Sequence, residues 1–438
     1  MRFLYAIPIV LLPNTAHLPS DASVGVSLAA LLVALLFGRR DSASIDRQSL
    51  MWAPLVALFI AMLVGFLAAH WHDLSGAEKD LREAKVAVLF PLLYLAYLRS
   101  GLDLKATRQL IIVALVVAVL AGLEAVFQAR SFNLMEFSET QRATGPFGQI
   151  KMANRAGVFF AMFLPMLVAI ALEAGQRRNV RALAIAGSLV LAMAILFTYS
   201  RQSYLIGMFV VMILLVWRSI PVALLAATVL AASAIIFLPS SVVDRVQDTQ
   251  QVDASGAVTL DVSTASRFTI WSGAVDMLRD HPAGVGLGRF SEKIGNYTTY
   301  SGKDAHNGFL LTLAELGPLG LFALLWVFWR LWRLSRWLRR SPAAARPGTG
   351  TLERGFTLAV VAMALGNLYG SPFFDSVVMA NFWILCGLME RYGALKLSSA
   401  LAVATATMPA HPPAPMGQRF PLASRALPGL ARPKNALR

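Results

Sequence analysis

The chain has 438 residues, of which 57% are hydrophobic and only 14% are charged. Soluble globular chains carry roughly 25% charged residues, so this composition excludes a soluble multidomain enzyme. Its long, continuous apolar runs predict a polytopic α-helical membrane protein, because a β-barrel needs apolar residues that alternate in period two.

The formal net charge is +15, which in a soluble protein would suggest nucleic-acid binding. In a multispanning protein the same excess indicates basic loops on the cytoplasmic side of the membrane, so no nucleic-acid partner is expected. The only cysteine, Cys386, can form neither an intramolecular disulfide nor a cysteine-based zinc site.

Apolar runs in chain order predict about twelve transmembrane helices. They lie at 3–13, 22–38, 50–70, 82–98, 109–127, 154–173, 182–199, 203–217, 221–238, 307–329, 355–370 and 376–392. Several are shorter than the ~20 residues that a straight span needs, so some are expected to be kinked or partly re-entrant.

The basic connections fall on one side of a twelve-span bundle, which predicts that both termini are cytoplasmic. The longest polar segment falls on the opposite, extracytoplasmic side. We therefore divide the chain into an N-terminal membrane region at 1–238, an extracytoplasmic loop containing helices at 239–306, a C-terminal membrane region at 307–392 and a disordered cytoplasmic tail at 393–438.

The first polar cluster is "RATGPFGQIKMANRAG", at the mouth of the span that begins near residue 154. Its candidate binding residues are Arg142, Lys151, Asn154 and Arg155. They offer hydrogen-bond donors to an anionic or sugar ligand, although interfacial anchoring explains such residues equally well. Glu124 in the preceding span could pair with one of these basic side chains.

In "FTYSRQSYLIG" a very short turn places Arg201 at the membrane boundary. The planar guanidinium carries a permanent charge and suits phosphate oxygen atoms. The alternative is an arginine that extends to lipid headgroups.

The stretch "STASRFTIWSGAVDMLRDHPAGVGLGRF" predicts a helix capped by Ser266, with Arg267 in its first turn. The glycines before Arg289 do not follow a strand and open a helix, so a dinucleotide site is not expected. We expect them to let the chain turn closely over the site.

The stretch "DAHNGFLLTLAELGPLGL" predicts a helix whose cap is Asp304 or Asn307. His306 then lies near the positive end of that helix, where the neutral imidazole of a general base is favoured. A simple surface histidine is the alternative. No second ligand stands at metal-binding spacing, so no metal is expected.

The ordered set "GPFGQIKMAN", "SRQS", "SRFTIW", "DHPAGVGLG" and "HNGFLLTLAELG" resembles the O-antigen ligase and O-antigen polymerase family of bacterial envelope glycosyltransferases. This resemblance covers about 142 to 320. It implies a GT-C-like fold in the bacterial inner membrane, with a periplasmic active site that needs no cofactor. Such enzymes move a glycan from undecaprenyl diphosphate to an acceptor hydroxyl, inverting the anomeric centre if the hydroxyl attacks directly.

The resemblance also implies roles for individual residues. Arg201, Arg267 and His306 match the family's catalytic positions, and Asp375 in "SPFFDS" matches an acidic residue of the ligases. The remaining candidate substrate-binding residues are Arg142, Lys151, Asn154, Arg155, Arg289 and Asn307. Arginines would neutralise the lipid diphosphate where the low dielectric strengthens such contacts, and His306 would act as the base.

A ligase that uses lipid A–core as acceptor is the favoured interpretation. A polymerase of O-antigen or exopolysaccharide and a protein O-oligosaccharyltransferase remain alternatives within the family. A transporter of the lipid-linked glycan would need charges along the middle of its spans, whereas the charges here cluster on one face.

Overall fold

The computed structural model describes most of the chain. The described residues are 2–37, 51–70, 77–133, 135, 137–237, 240–247, 250–252, 258–260, 262–340 and 350–407. Met1–Leu395 form one compact unit, and Lys396–Arg438 form a second.

The described residues form fifteen α-helices and one short β-hairpin. The helices are α1 Arg2–Leu11, α2 Ser20–Phe37, α3 Trp52–His70, α4 Ala77–Leu98, α5 Leu104–Gln128, α6 Ala153–Ala171, α7 Arg178–Phe197, α8 Arg201–Arg218, α9 Ile220–Phe237, α10 Ser240–Gln247, α11 Val262–Asp280, α12 Phe290–Lys293, α13 Gly308–Arg340, α14 Thr351–Gly366 and α15 Ser376–Thr407. In the hairpin, β1 (Gln250–Val252) pairs antiparallel with β2 (Val258–Leu260).

Each of the twelve predicted apolar segments coincides with a helix, namely α1–α9 and α13–α15. By length and composition, six described helices could cross a membrane: α3, α5, α6, α7, α8 and α13. Four further apolar helices, α1, α2, α4 and α9, are shorter in their described parts. The predicted all-α polytopic membrane fold is confirmed. Among the described residues, six helices are long and apolar enough to cross a membrane, which is half of the predicted twelve.

Two predicted boundaries differ from the structure. Helix α11 begins at Val262, so Ser266 lies inside that helix and does not cap it. Helix α15 continues to Thr407, fourteen residues beyond the predicted start of the disordered tail at 393. Residues 408–438 of that tail lie outside the described residues.

Helix α6 is at the centre of the bundle and packs against α7, α8 and α14. Small residues allow this close approach, as is common between membrane helices. A Cβ atom on Gly157 would lie 2.3 Å from Ser203 Oγ on α8. A Cβ atom on Gly355 of α14 would lie 2.7 Å from Met166 Cα. The contact at Gly157 therefore fixes the N-terminal part of α6 beside the start of α8, and the contact at Gly355 fixes its C-terminal part against α14.

Helix α13 is interrupted at Gly317, whose φ of 66° and ψ of −168° are not helical. Pro318 follows and has no N–H, so it cannot donate to the Ala314 carbonyl one turn earlier. The Val285 N–H donates to that carbonyl instead, at 2.9 Å. The loop between α11 and α12 thus satisfies a backbone acceptor that the break exposes.

The same loop makes two further bonds to Glu315. The Gly286 N–H donates to the Glu315 carbonyl at 2.9 Å, and the Phe290 N–H donates to Glu315 Oε1 at 3.1 Å. The buried carboxyl group of Glu315 therefore has a backbone partner at the start of α12, directly after the glycine-rich loop, which was predicted only to turn closely over the site.

Gly284 allows the loop to approach α13 this closely. Its φ is +91°, and a Cβ atom there would lie 2.4 Å from the Glu315 carbonyl oxygen. Gly302 is a natural reference, because its φ is +73° but nothing lies within 4 Å of its Cβ position. Alanine at either position would have to adopt a left-handed backbone, and only at Gly284 would its Cβ atom also clash with α13.

We expect Gly284→Ala to lower the apparent unfolding temperature of the detergent-solubilised protein more than Gly302→Ala does. The difference should correspond to about 1–3 kcal/mol, the usual cost of forcing an atom into a packed site. Equal shifts for the two variants would show that the close docking of the loop on α13 contributes no stability.

Candidate functional site

Four helix N-termini meet around one cavity of about 260 Å³, which we call the first cavity. Helices α6, α8, α13 and α15 begin there or within a few residues, and α14 ends there. The polar side chains in its wall are Lys151, Asn154, Arg155, Gln202, Asp304, His306, Tyr369 and Ser371. Helix N-termini carry partial positive charge, so the cavity favours an anion even before its cationic side chains are counted.

His306 is held in an unusual backbone conformation directly before α13. Its φ is +49°, in the left-handed region that residues other than glycine seldom occupy. Two anchors fix it there: Trp271 Nε1–H donates to the Ala305 carbonyl at 2.7 Å, and the Gly308 N–H lies 2.8 Å from the carbonyl oxygen atoms of Asn367 and Gly370. Strain that neighbours enforce in this way is typical of functional positions.

The surroundings of His306 favour the neutral imidazole. Burial is the main cause that lowers its pKa below the usual 6.5, and the Asp304 carboxylate opposes this shift. The positive charges of Arg267, Arg155 and Lys303 lower the pKa further. The ring is therefore unprotonated, and able to accept a proton, at neutral pH.

Asn307 is the cap of α13. Its Oδ1 accepts from the N–H groups of Phe309 and Leu310, both at 3.0 Å. This settles the choice between Asp304 and Asn307 for the cap. The predicted contact between Asn307 and a ligand stays a prediction.

An ion pair joins α6 to the start of α15. Arg155 Nη1 lies 2.8 Å from Asp375 Oδ2, and the Asp375 side chain is only 4% exposed. Asp375 Oδ1 accepts from the N–H groups of Val377 and Val378 at 3.1 Å, so the same carboxylate caps α15. Arg155 and Asp375, both predicted site residues, are therefore in contact although 220 positions separate them in the sequence.

The guanidinium of Arg155 also faces a second carboxylate. Its Nη2 lies 4.0 Å from Asp304 Oδ2, and the Ser371 hydroxyl donates to that same oxygen. Arg155, Asp304 and Ser371 together form a wall of the first cavity, which we call the polar partition.

Arg142 and Asn154 bind each other. Arg142 Nη2 donates to Asn154 Oδ1 at 2.6 Å, and Arg142 Nε donates to the Thr198 carbonyl at 2.9 Å. The Arg142 side chain is 9% exposed. It ties the segment before α6 to the turn between α7 and α8, while Asn154 lines the first cavity.

Arg201 is the first residue of α8, directly after its cap. Ser200 is this cap and accepts from the Ser203 N–H, although only the short turn before Arg201 was predicted. Tyr199 before it has a φ of +49°, and its hydroxyl lies 2.9 Å from Ser241 Oγ of α10. In the described residues it is the adjacent Gln202, rather than Arg201, that lines the first cavity.

The two arginines of the large loop have different surroundings. Arg267 Cζ lies 6.0 Å from the ring centre of Tyr369, a residue of the first cavity, and its charge acts on His306. Arg289 Nη2 lies 3.1 Å from His70 Nε2 at the end of α3. Within the described part of the chain, Arg289 does not line the first cavity.

Some features of the site were not predicted from the sequence, and one was predicted wrongly. No role was predicted for Gln202, yet its amide donates to the Gly366 carbonyl at 2.6 Å and lines the cavity. Tyr369 and Ser371 were overlooked, although the polar interruption "NLYGS" between two apolar runs is a usable signal. Glu124 pairs with His17 at 2.8 Å, and not with Arg142, Lys151 or Arg155 as was considered from the sequence.

One comparison with known proteins bears on these residues. Residues 186–325 match the O-antigen ligase family model. No curated protein matches the chain. The matched residues include Arg201, Arg267, Arg289, His306 and Asn307. The predicted resemblance to the O-antigen ligase family is confirmed over this segment, and the match supports glycan transfer at a membrane as the general function.

Substitutions at Asp375 can separate its ion pair with Arg155 from its role as the cap of α15. We expect Asp375→Ala to destabilise the protein by about 1 kcal/mol more than Asp375→Asn does, because asparagine still caps α15 and alanine does not. Both variants lose the charge that faces Arg155. Apparent unfolding temperatures in detergent measure the difference, and identical values for the two variants would contradict a capping role.

Proposed function

We propose that this protein transfers a glycan from an undecaprenyl diphosphate carrier to an acceptor hydroxyl at the periplasmic face of the bacterial inner membrane. Ligation of O-antigen to lipid A–core is the specific reaction that we favour. The observation that carries the proposal is the first cavity, where helix N-termini, cationic side chains and a neutral imidazole face the same space. This combination suits a reaction that releases a diphosphate and removes a proton.

The cationic wall supports binding of the diphosphate. Lys151 and Arg155 supply charged donors to the first cavity, and Asn154 and Gln202 supply amide groups. A diphosphate leaving group spreads its negative charge over several oxygen atoms, so several fixed donors stabilise it as the bond to the sugar breaks. We assign this role to Lys151 and Arg155, with support from Arg201, the neighbour of Gln202 in sequence, and from Arg267, which lies near Tyr369. Arg142, Arg289 and Asn307 would act by holding the surrounding segments.

His306 would be the general base. The acceptor oxygen attacks the anomeric carbon, its proton passes to the imidazole, and the bond from that carbon to the diphosphate oxygen breaks. Direct attack from the opposite face inverts the anomeric configuration. The lowered pKa of His306 keeps the base unprotonated at neutral pH, and no metal or cofactor takes part in the proposed step.

The topology supports a site on a single face of the membrane. Helices that alternate in direction place the starts of α6, α8 and α13 on the same side, and residues at all three starts line the first cavity. The positive-inside rule assigns the basic ends of these helices, such as Arg218 and Arg340, to the cytoplasm. The first cavity then faces the periplasm, and both termini lie in the cytoplasm.

The main test is in vitro transfer by purified protein with lipid-linked donor and acceptor. We expect His306→Asn to lower kcat/KM by about 10²–10⁴-fold, the usual contribution of a general base. Asparagine is the informative substitution because it tolerates the left-handed backbone that His306 adopts. The matched control is His281→Asn, at an exposed histidine outside the first cavity, which should retain activity.

The pH profile adds an independent readout. Only the neutral imidazole accepts a proton, so the wild-type rate should fall as pH decreases through a value below 6.5, because the pKa of His306 is lowered. The His306→Asn variant should lose this acidic limb. If His306→Asn and His281→Asn turn over alike, or if the limb persists in His306→Asn, His306 is not the base.

Ligase and polymerase activities are separated by the banding of lipopolysaccharide in a deletion strain. We expect lipid A–core without any O-antigen, while the lipid-linked polymer still accumulates. A core that carries a single repeat unit would instead favour a polymerase. Normal lipopolysaccharide with loss of glycosylated proteins would favour the protein O-oligosaccharyltransferase alternative.

A further inference from the structure

A second cavity of about 240 Å³ lies on the other side of the polar partition. Arg155, Asp304 and Ser371 line both cavities, so this partition is a shared wall. The remaining wall of the second cavity comes from α12, the glycine-rich loop before it, α13 and Phe374. The second cavity therefore adjoins the proposed site of transfer without containing His306.

The polar chemistry of the two cavities differs. Apart from the partition, the polar side chains of the first cavity are Lys151, Asn154, Gln202, His306 and Tyr369, and the first three carry N–H donors. In the second cavity the polar side chains beyond the partition are Ser291 and Glu315, whose oxygen atoms accept hydrogen bonds. The first wall suits phosphate oxygen atoms, whereas the second suits hydroxyl groups that donate.

The second cavity also has an apolar side. Phe290, Phe374, Leu287 and Leu311 are the apolar residues of its wall. A sugar ring has hydroxyl groups around its edge and C–H groups on its faces, so it needs acceptors and an apolar surface together. The volume is below the roughly 300–1,000 Å³ of pockets for drug-sized ligands, which favours a single ring.

The wall of the second cavity is built before any ligand arrives. Phe290 is 1% exposed, and its N–H donates to Glu315 Oε1 at 3.1 Å. The loop that carries Leu287 is bonded to the break in α13 through Val285 and Gly286. A site fixed by the backbone in this way loses little conformational entropy when it binds.

We propose that the second cavity binds one uncharged sugar ring next to the diphosphate site, with Ser291 and Glu315 accepting from its hydroxyl groups. The proposal rests on the proposed function, because glycan transfer brings such a ring to the polar partition. Either the first sugar of the donor glycan or the acceptor sugar has the required chemistry. Separate kinetics for the two substrates distinguish these sources.

The test variant is Ser291→Gln, which places a longer side chain in the second cavity. Ser272→Gln is the matched control, since Ser272 is an exposed serine of α11 that lines neither cavity. Each variant is assayed for KM of the lipid-linked donor, KM of the acceptor and Ki of glycan-free undecaprenyl diphosphate. Apparent unfolding temperatures establish that the variants are folded.

We expect Ser291→Gln to raise one KM about tenfold, the loss that one or two hydrogen bonds to the sugar would cause. A higher donor KM assigns the ring to the donor, and a higher acceptor KM assigns it to the acceptor. The Ki of the glycan-free carrier should stay unchanged in Ser291→Gln, because this probe has no sugar. In Lys151→Ala the same Ki should rise, because the first cavity loses a cation.

Two results would overturn the sugar site while leaving the proposed function intact. One is unchanged KM values in Ser291→Gln relative to Ser272→Gln, with transfer preserved. The other is a rise in the Ki of the glycan-free carrier in Ser291→Gln as large as the rise in KM. If the wild-type protein transfers no glycan at all, the proposed function itself fails, and the sugar site is withdrawn with it.

Discussion

The ion pair between Arg155 and Asp375 is the interaction on which the site depends. It connects the start of the central helix α6 to the cap of α15, and the same guanidinium faces Asp304 of the loop before His306. A partly buried pair of this kind stays favourable only if its remaining hydrogen bonds are also satisfied. The two capping bonds to Asp375 meet that requirement. One guanidinium therefore joins three segments that are far apart in sequence.

Near this ion pair, two residues adopt unfavourable backbone conformations that position functional groups. Tyr199 and His306 are the two residues other than glycine with positive φ in the described backbone, and both directly precede a helix of the cavity. Each is held by a neighbour from the large loop, Tyr199 through Ser241 and the His306 segment through Trp271. The large loop therefore helps to position residues of the first cavity, in addition to supplying side chains near it. Pre-organisation of this kind matters in a reaction that depends on placing charge.

Much of the fold follows from hydropathy, and part of the site follows from short patterns. Continuous apolar runs located every predicted helix, because a chain in lipid must satisfy its backbone within each segment. The turn before Arg201 was also predictable, and the cap of α13 was narrowed to Asp304 or Asn307, since both features depend on neighbouring residues. The pairing of Glu124 with His17, the start of α11 and the cavity-facing position of Gln202 were not, because each depends on contacts between segments.

The sequence by itself determined a helical membrane protein with particular side chains at its helix ends: arginines, one imidazole and capping residues at the boundaries of apolar runs. Only the tertiary structure decided which of these groups share a space. It placed Lys151, Arg155 and His306 in the wall of one cavity and put Arg289 beside His70. It also divided the site by a polar partition, with Lys151, Asn154 and Gln202 on one side and Ser291 and Glu315 on the other. The physical reason is that hydropathy and capping act over a few residues, whereas a cavity wall is formed by the packing of helices that the sequence separates by hundreds of residues.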